Sequence, residues 1–155
     1  MKPTIPLLLE EIAVTHGDYP AQMTKDESGE FHPTTFTELL RNVDEFAAGL
    51  TALGVSRGDH VGLISENRRE WFVADLAVLS LGAADVPRGN DTPPDDVGYI
   101  LGFAECAIVC AEDRTQTEKI LSVRGKLPLL KTIIVLADDQ IDSSLTDAAG
   151  DVSLV

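Results

Sequence analysis

The sequence is poor in basic residues and in cysteine, and it lacks any extended apolar segment. Among 155 residues, Lys and Arg number 12 against 26 Asp and Glu, which gives a formal net charge of −14. Nucleic-acid binding requires clustered Lys and Arg facing the phosphate backbone, and the few basic residues here are scattered. No segment approaches the roughly 20 consecutive apolar residues of a membrane helix. We therefore expect no nucleic-acid partner and no transmembrane segment.

The N-terminal segment lacks the features of a secretory signal. Its apolar residues 7–9 are followed at once by Glu10 and Glu11, whereas a signal peptide contains an uninterrupted apolar region of about 7–15 residues. The hydrophobic fraction of 44% and the charged fraction of 25% are typical of a soluble globular protein. We expect a cytoplasmic protein, and the sequence leaves peripheral association with a membrane open.

The two cysteines are too few for a convincing zinc site, because no histidine or further cysteine stands at metal-ligand spacing. Cys106 and Cys110 lie on an apolar stretch and are four residues apart. Residues four apart on a strand share a face. Both thiols are therefore predicted to be buried in one core, where free cysteines are commonly found.

No other residue cluster predicts catalysis or metal binding. The histidines, His16, His32 and His60, lie at element edges without the neighbouring Ser, Cys or carboxylate of a catalytic triad. Paired acids at residues 95–96 and 138–139 are a combination that can bind a divalent cation. Residues 95–96, however, fall in the first turn of a predicted helix, where negative charge is favoured by the helix dipole. We predict no catalytic residue and no metal ligand.

Apolar periodicities alternate between those of helices and those of short buried strands. Such alternation predicts an α/β fold, with a layered, mostly parallel sheet flanked by helices and a small N-terminal hairpin. The firmest helix has Thr35 as its N-cap, Glu38 completing a capping box, and Gly54 as its left-handed terminator. The predicted helices cover about residues 5–14, 36–53, 68–81, 92–104 and 114–124, and the strands cover 21–24, 31–32, 61–64, 84–87, 107–110 and 132–136, with the hairpin turn at 26–29.

The composition changes near the C-terminus. Residues 137–155 contain five Asp and no Lys or Arg, a bias that is typical of solvated segments. We interpret residues 1–136 as an α/β subdomain, and residues 137–155 as an acidic linker or as the start of a missing remainder.

The glycine-rich loops that bind phosphates are missing. Neither a Gly-x-Gly-x-x-Gly segment nor a Gly-Lys-Ser/Thr loop is present. The helix that begins after the strand at 61–64 could still hold an anion through its free N–H groups and its dipole. The candidate residues are Ser65, Asn67 and Arg68, together with Arg88 after the next strand. The simpler interpretation is that Ser65 or Asn67 caps this helix.

Two segments resemble the core motifs of adenylate-forming enzymes. Residues 35–40, Thr-Phe-Thr-Glu-Leu-Leu, resemble the first motif, Leu-Thr/Ser-Tyr-x-Glu-Leu, with Thr35 in place of Leu and Phe36 in place of Tyr. Residues 79–87, Leu-Ser-Leu-Gly-Ala-Ala-Asp-Val-Pro, resemble the second motif, Leu-Lys-Ala-Gly-x-Ala-Tyr-Val-Pro. Both motifs are structural here, since the first is a capped helix and the second joins a helix end to a strand.

The sequence between these motifs extends the resemblance. Residues 49–62 and 66–71 match the segments that usually link the two motifs, so that the likeness runs from about residue 7 to residue 136. Within the superfamily, Glu-Asn-Arg-x-Glu-Trp at 66–71 and Asp-Val-Pro-Arg at 85–88 look most like long-chain fatty acyl-CoA synthetases. The chain thus resembles the N-terminal segment of an AMP-forming ligase.

The resemblance implies a two-step reaction for the full-length parent. A fatty carboxylate attacks the α-phosphate of Mg-ATP to give acyl adenylate and pyrophosphate, and the thiol of coenzyme A then displaces AMP. The parent would therefore use a fatty acid, ATP, Mg and coenzyme A, and none of these is expected to bind the fragment. The family's Ser/Thr/Gly-rich phosphate loop, its later Asp and Arg, and its C-terminal Lys have no counterpart here. We expect the fragment to be an inactive scaffold.

Two other readings use the same fold. A flavodoxin-like binding or interaction module without catalysis is one, since α/β sheets host unrelated functions. A phosphoacceptor receiver domain would need acidic residues at the end of an early strand, and residues 65–66 offer little of that. A phosphate loop encoded beyond residue 155 would favour the ligase, and a natural stop would favour the module.

A dimer is a further hypothesis, because a separated subdomain exposes the surface that its missing half would cover. The helix with Trp71 and Phe72, which are predicted to pack rather than to hold a cofactor, or the helix at 97–101 would supply this surface.

Overall fold

The computed structural model describes residues 3–26, 28–137 and 141–155. Glu27 in the predicted hairpin turn and the paired acids Asp138 and Asp139 lie outside these residues. The helices are α1 (Ile5–His16), α2 (Phe36–Ala52), α3 (Arg69–Ser80), α4 (Pro94–Phe103), α5 (Arg114–Ser122) and α6 (Ser143–Ala149), with a 3-10 turn at Arg124–Lys126. The strands are β1 (Pro20–Lys25), β2 (Phe31–Thr35), β3 (His60–Ile64), β4 (Ala84–Arg88), β5 (Ile108–Ala111), β6 (Thr132–Val135) and β7 (Ser153–Leu154).

Five strands form a parallel sheet in the order β4-β3-β5-β6-β7, and β1 and β2 form a separate antiparallel hairpin. The predicted α/β class, with its mostly parallel sheet and small hairpin, is confirmed. From β3 the chain passes outward to β4 and then returns across β3 to β5. This reversal is the order of flavodoxin-like sheets, and it opens a crevice beside the carboxyl ends of the strands.

Helices cover the sheet on both faces and create two cores. Helices α1, α2 and α3 pack on one face, where Leu39, Leu50 and Leu63 are buried. Helices α4, α5 and α6 pack on the other face around Leu101 and Ile133. The strands are short and apolar because both of their faces are covered, as is usual in parallel sheets.

The N-terminus of α2 confirms the predicted capping box. The Glu38 N–H donates to Thr35 Oγ1 at 3.2 Å, and the Thr35 N–H donates to Glu38 Oε2 at 2.8 Å. The Thr35 backbone N–H, and after it the Thr35 hydroxyl, which donates to Glu38 Oε2 at 3.0 Å, lower the pKa of the Glu38 carboxyl. Gly54 follows the helix with a φ of 95°, as a terminating glycine should. None of the described helices is both long and apolar enough to cross a membrane.

The C-terminal segment corrects the expectation of a solvated linker. Asp142 caps α6 by accepting the Leu145 N–H at 2.8 Å; Leu145 and Ala149 are buried, and Ala149 belongs to the second core. Strand β7 then pairs with β6. The acidic composition of residues 137–155 hid this element, because its buried apolar side chains are few, while Asp142, Asp147 and Asp151 are exposed.

The two cysteines are buried free thiols, as predicted, but they lie in different cores. Cys110 is on β5 and faces the α1–α3 side, whereas Cys106 precedes β5 and packs into the α4–α6 side. The prediction of a shared face is wrong, because the strand begins only at Ile108. Burial raises the pKa of Cys106 to about 11 and that of Cys110 to about 12, so both are protonated at neutral pH.

Candidate functional site

The loops that follow β3, β4 and β5 meet at one end of the sheet, because the carboxyl ends of parallel strands lie at the same edge. The Ser65 N–H donates to the Arg88 carbonyl at 3.0 Å, and the Glu112 N–H donates to the Ile64 carbonyl at 2.9 Å. We call the region formed by residues 65–68, 88–93 and 112–113 the carboxyl edge.

A cavity of about 510 Å³ opens at the carboxyl edge. It brings together three of the four candidate residues for an anion site, Ser65, Asn67 and Arg88. The fourth, Arg68, lines an adjoining cavity of about 720 Å³ that shares Asn67 and Trp71 with the first. The remaining residues of the first cavity are Glu66, Trp71, Pro87 and Gly89.

The N-terminus of α3 corrects the capping prediction. Its N-cap is Arg68, and no side chain accepts a hydrogen bond from the first N–H groups. The Ser65 hydroxyl instead donates to the Glu66 carbonyl at 2.9 Å. The simpler reading, in which Ser65 or Asn67 caps the helix, is therefore wrong. The positive end of α3 faces the cavities without a capping side chain, and such an end attracts anions.

The charged side chains at this edge differ in their partners. Arg68 Nε lies 2.6 Å from Glu70 Oε2, so its charge is balanced within the first turn of α3. Arg88 donates from Nη1 to the Pro87 carbonyl at 2.6 Å. Within the described ranges no carboxylate lies within 4.0 Å of the Arg88 guanidinium. Arg88 therefore gives the first cavity a positive charge that no described carboxylate balances.

The two aromatic residues of α3 have different surroundings. Trp71 is half-buried against the first core and lines both cavities, whereas Phe72 is exposed and lines only the larger one. The packing prediction holds for Trp71 and is wrong for Phe72, which faces the hairpin side of α3. The larger cavity also contains Gln22, whose Oε1 atom is buried without a hydrogen-bond partner among the described residues.

A polar network at the carboxyl edge was not found from the sequence. Glu112 Oε2 accepts two hydrogen bonds, one from the Glu66 N–H at 2.9 Å and one from Asn90 Nδ2 at 3.3 Å. Lys119 Nζ donates to the carbonyls of Asn90 at 2.5 Å and Thr92 at 3.1 Å. The position of Glu112 and Asn90 shortly after β5 and β4 is the one sequence signal that marks them, and it does not indicate that they are in contact.

The histidines lie away from the carboxyl edge. His32 Nε2 is 2.8 Å from Asp26 Oδ2, so the prediction that no carboxylate neighbours this histidine is wrong. The Ser28 hydroxyl also binds Asp26, and this bond together with that of His32 lowers the pKa of Asp26 to about 2. Asp26, Glu30 and His32 have metal-ligating atoms within 4.8 Å of one another. All three are exposed and close the hairpin turn, so we assign them a structural role.

Comparisons with known proteins agree on one family. Residues 9–153 match the family model described as AMP-binding enzyme. The chain is 30% identical over 136 residues to the long-chain-fatty-acid–CoA ligase ACSBG2 of Xenopus laevis, covering 88% of this chain and 18% of that protein. It is 29% identical over 109 residues to the ligase FadD15 of Mycobacterium tuberculosis, covering 70% of this chain and 18% of that protein. The chain thus spans about a fifth of the length of these relatives.

Solved structures show the same fold. The A-PCP didomain of carboxylic acid reductase from Segniliparus rugosus, solved with AMP, superposes with a TM-score of 0.82 at 19% identity. That match covers 100% of this chain and 26% of the other. The anthranilate CoA ligase AuaEII, solved with anthranoyl-AMP, superposes with a TM-score of 0.78 at 24% identity over 92% of this chain and 26% of the other.

Proposed function

Because this chain belongs to the AMP-binding enzyme family, we propose that it is part of an AMP-forming ligase that activates long-chain fatty acids. The family match over residues 9–153 carries this proposal. The acyl specificity is inferred from relatives such as ACSBG2 and FadD15, whose names describe long-chain-fatty-acid–CoA ligases. The whole enzyme would use ATP, Mg and coenzyme A.

The reaction of such a ligase requires no nucleophile from the protein, because the fatty carboxylate and the coenzyme A thiol are the nucleophiles. An oxygen of the fatty carboxylate attacks the α-phosphorus of ATP, and the bond to pyrophosphate breaks. The coenzyme A thiol then gives up its proton and attacks the acyl carbonyl, and AMP leaves. A fatty carboxylate is already ionised at neutral pH and needs no general base. Catalysis therefore rests on positioning and on stabilising charge at the phosphates.

In place of the expectation that no substrate binds the fragment, we propose that the described residues contribute to ligand binding and not to the reacting centre. The carboxyl edge offers an uncapped helix end and Arg88, both suited to a phosphate-bearing ligand. It lacks the Ser/Thr/Gly-rich loop by which the resembling family holds the phosphates of ATP. Without donors placed around the transferring phosphoryl group, the chain has no means to stabilise the transition state.

The ligase assignment predicts a difference in turnover between two polypeptides. Residues 1–155 alone should release no pyrophosphate from ATP when a long-chain fatty acid is present. The complete product of the gene should release it in proportion to the acid supplied. A coupled pyrophosphate assay with and without coenzyme A measures both. Fatty-acid-dependent turnover by residues 1–155, or its absence from the complete product, would contradict the proposal.

The anion site at the carboxyl edge, formed by Ser65, Asn67, Arg68 and Arg88, predicts the effect of a charge removal. Arg88→Gln should weaken pyrophosphate binding to the chain about tenfold, since a charge-assisted hydrogen bond contributes about 1.5 kcal/mol. Isothermal titration calorimetry measures the dissociation constant. Arg57→Gln is the matched control, because Arg57 is exposed before β3 at the opposite end of the sheet. Equal affinities of Arg88→Gln and the unchanged chain would remove Arg88 from the site.

We retain a homodimer as a proposal, with its surface corrected. Val97 and Leu101 on α4 are buried, so the helix at 97–101 cannot present them to a partner. Its exposed aromatic residues are Tyr99 and Phe103, whose rings stack with centroids 6.1 Å apart. Size-exclusion chromatography with light scattering tests this proposal, and a monomer at high concentration would contradict it.

A further inference from the structure

Two half-buried charged side chains hold the loops of the carboxyl edge without forming an ion pair. Glu112 accepts hydrogen bonds from the Glu66 N–H and from Asn90 Nδ2, and Lys119 donates to the carbonyls of Asn90 and Thr92. Within the part of the chain that the structure describes, neither makes a salt bridge of 4.0 Å or less. Partly buried charges are usually paired, because removing them from water is costly. Here both charges are satisfied by loop groups.

Asn90 links the two halves of this arrangement. Its side-chain amide binds Glu112, and its backbone carbonyl binds Lys119. The loop after β4 is therefore held from two sides, by Glu112 between β5 and α5 and by Lys119 within α5. Through the Glu66 N–H, the same Glu112 carboxylate fixes the loop after β3. Three loops that are far apart in sequence are thus joined into one unit.

We propose that Glu112 and Lys119 are positioning residues for the anion site at the carboxyl edge. This inference rests on the anion site proposed above. Glu66 precedes Asn67, and Asn90 follows Arg88 by two residues, so the network sets where these two site residues stand. A site whose loops are already ordered loses less conformational freedom when it binds a ligand, and its affinity is therefore higher.

Whether anion affinity rises or falls when the Glu112 carboxylate is removed distinguishes a positioning role from a purely electrostatic one. Removing the negative charge of Glu112 should strengthen anion binding if the carboxylate acts only through its field. Positioning predicts the opposite result, because the loops lose their common acceptor. Glu112→Gln keeps an acceptor oxygen and loses the charge, so it should preserve the arrangement. Lys119→Arg keeps both the charge and the donors, whereas Lys119→Met removes both.

The experiment combines binding with amide exchange on the 155-residue chain. Glu112→Ala and Lys119→Met should each weaken pyrophosphate binding about fivefold, and Glu112→Gln and Lys119→Arg should stay within about twofold of the unchanged chain. NMR hydrogen exchange at the Glu66 amide should quicken in Glu112→Ala and not in Glu112→Gln. Glu118→Ala is the matched control, because Glu118 on α5 is exposed and pairs with Arg114.

Each outcome decides one part of the inference. Affinity in Glu112→Ala that equals or exceeds that of the unchanged chain overturns the positioning role, as does unchanged exchange at Glu66. Urea denaturation shows whether a variant is folded, and the two conservative variants keep the test decisive if the truncated ones unfold. Failure of the unchanged chain to bind pyrophosphate overturns the anion site and its positioning together. Binding that survives Glu112→Ala overturns the positioning alone.

Discussion

Gly62→Val is expected to destabilise the chain by about 3 kcal/mol, because the centre of β3 has no space for a branched side chain. A Cβ atom at Gly62 would lie 2.7 Å from Leu101 Cδ2 and 3.0 Å from both methyl groups of Val109. Leu101 is buried on α4, and Val109 is buried on the neighbouring strand. The substitution would push α4 away from the sheet. Urea denaturation monitored by far-UV circular dichroism measures the loss.

Two further variants test the cause of that loss. Gly49→Ala on α2 is the control, since nothing lies within 4 Å of a Cβ atom at that position. It should stabilise the chain by about 0.5–1 kcal/mol, because alanine favours a helix over glycine. Gly62→Ala should cost less in a Leu101→Ala background than in the unchanged chain, since the nearest contact is then gone. A Gly62→Val chain as stable as the parent would show that α4 does not pack this closely.

Stability is expected to fall as pH rises from about 4 to 6, because of one half-buried acid, Asp75. Burial and then the negative charge of Asp85 raise the pKa of Asp75 from 3.8 to about 6. A group whose pKa is higher in the folded state stabilises the fold while it is protonated, and that contribution is lost as pH rises through the folded value. Because Asp75 is partly exposed, we expect a loss of about 1–2 kcal/mol. Carboxyls whose pKa is lowered in the folded state, such as Asp26, instead lose their stabilising contribution as pH falls.

Asp75→Asn should remove this pH dependence and stabilise the chain by about 1–2 kcal/mol at pH 7.5. Urea denaturation at pH 4.5, 6 and 7.5 provides the comparison. Asp44→Asn makes the same chemical change at an exposed position on α2, and it should retain the fall because Asp75 and Asp85 are intact. An Asp75→Asn chain with the same fall as the parent would assign the effect to another group.

Local signals in the sequence predicted most of the fold. The capping box of Thr35 and Glu38 and the terminating glycine Gly54 depend on residues close in the chain, and the structure contains all three. The alternation of apolar periods likewise predicted the parallel sheet. The errors arose where tertiary packing decides. Leu145 and Ala149 are too few to offset an acidic composition, yet they are buried because α6 packs on the second core.

For the candidate site, the sequence predicted which residues follow the strands, but it did not predict the contacts between them. Ser65, Asn67 and Arg88 follow β3 or end β4, and the parallel sheet brings them together. The network of Glu112, Asn90 and Lys119 was not predictable, because it depends on which strand neighbours which. Glu66 and Glu112 are 46 residues apart, and Lys119 and Asn90 are 29 apart. Without the strand order, no sequence pattern places these residues in contact.

Mapping of pyrophosphate onto the chain by NMR tests whether the carboxyl edge is the place where a phosphate-bearing ligand binds. In a titration followed by ¹⁵N–¹H spectra, we predict the largest shift changes at the amides of residues 65–72 and 88–92. The Arg88→Gln chain should show much smaller changes at the same concentrations. Shifts that concentrate at another surface, such as the hairpin turn or the α4 aromatic residues, would contradict the assignment of this edge as the binding site.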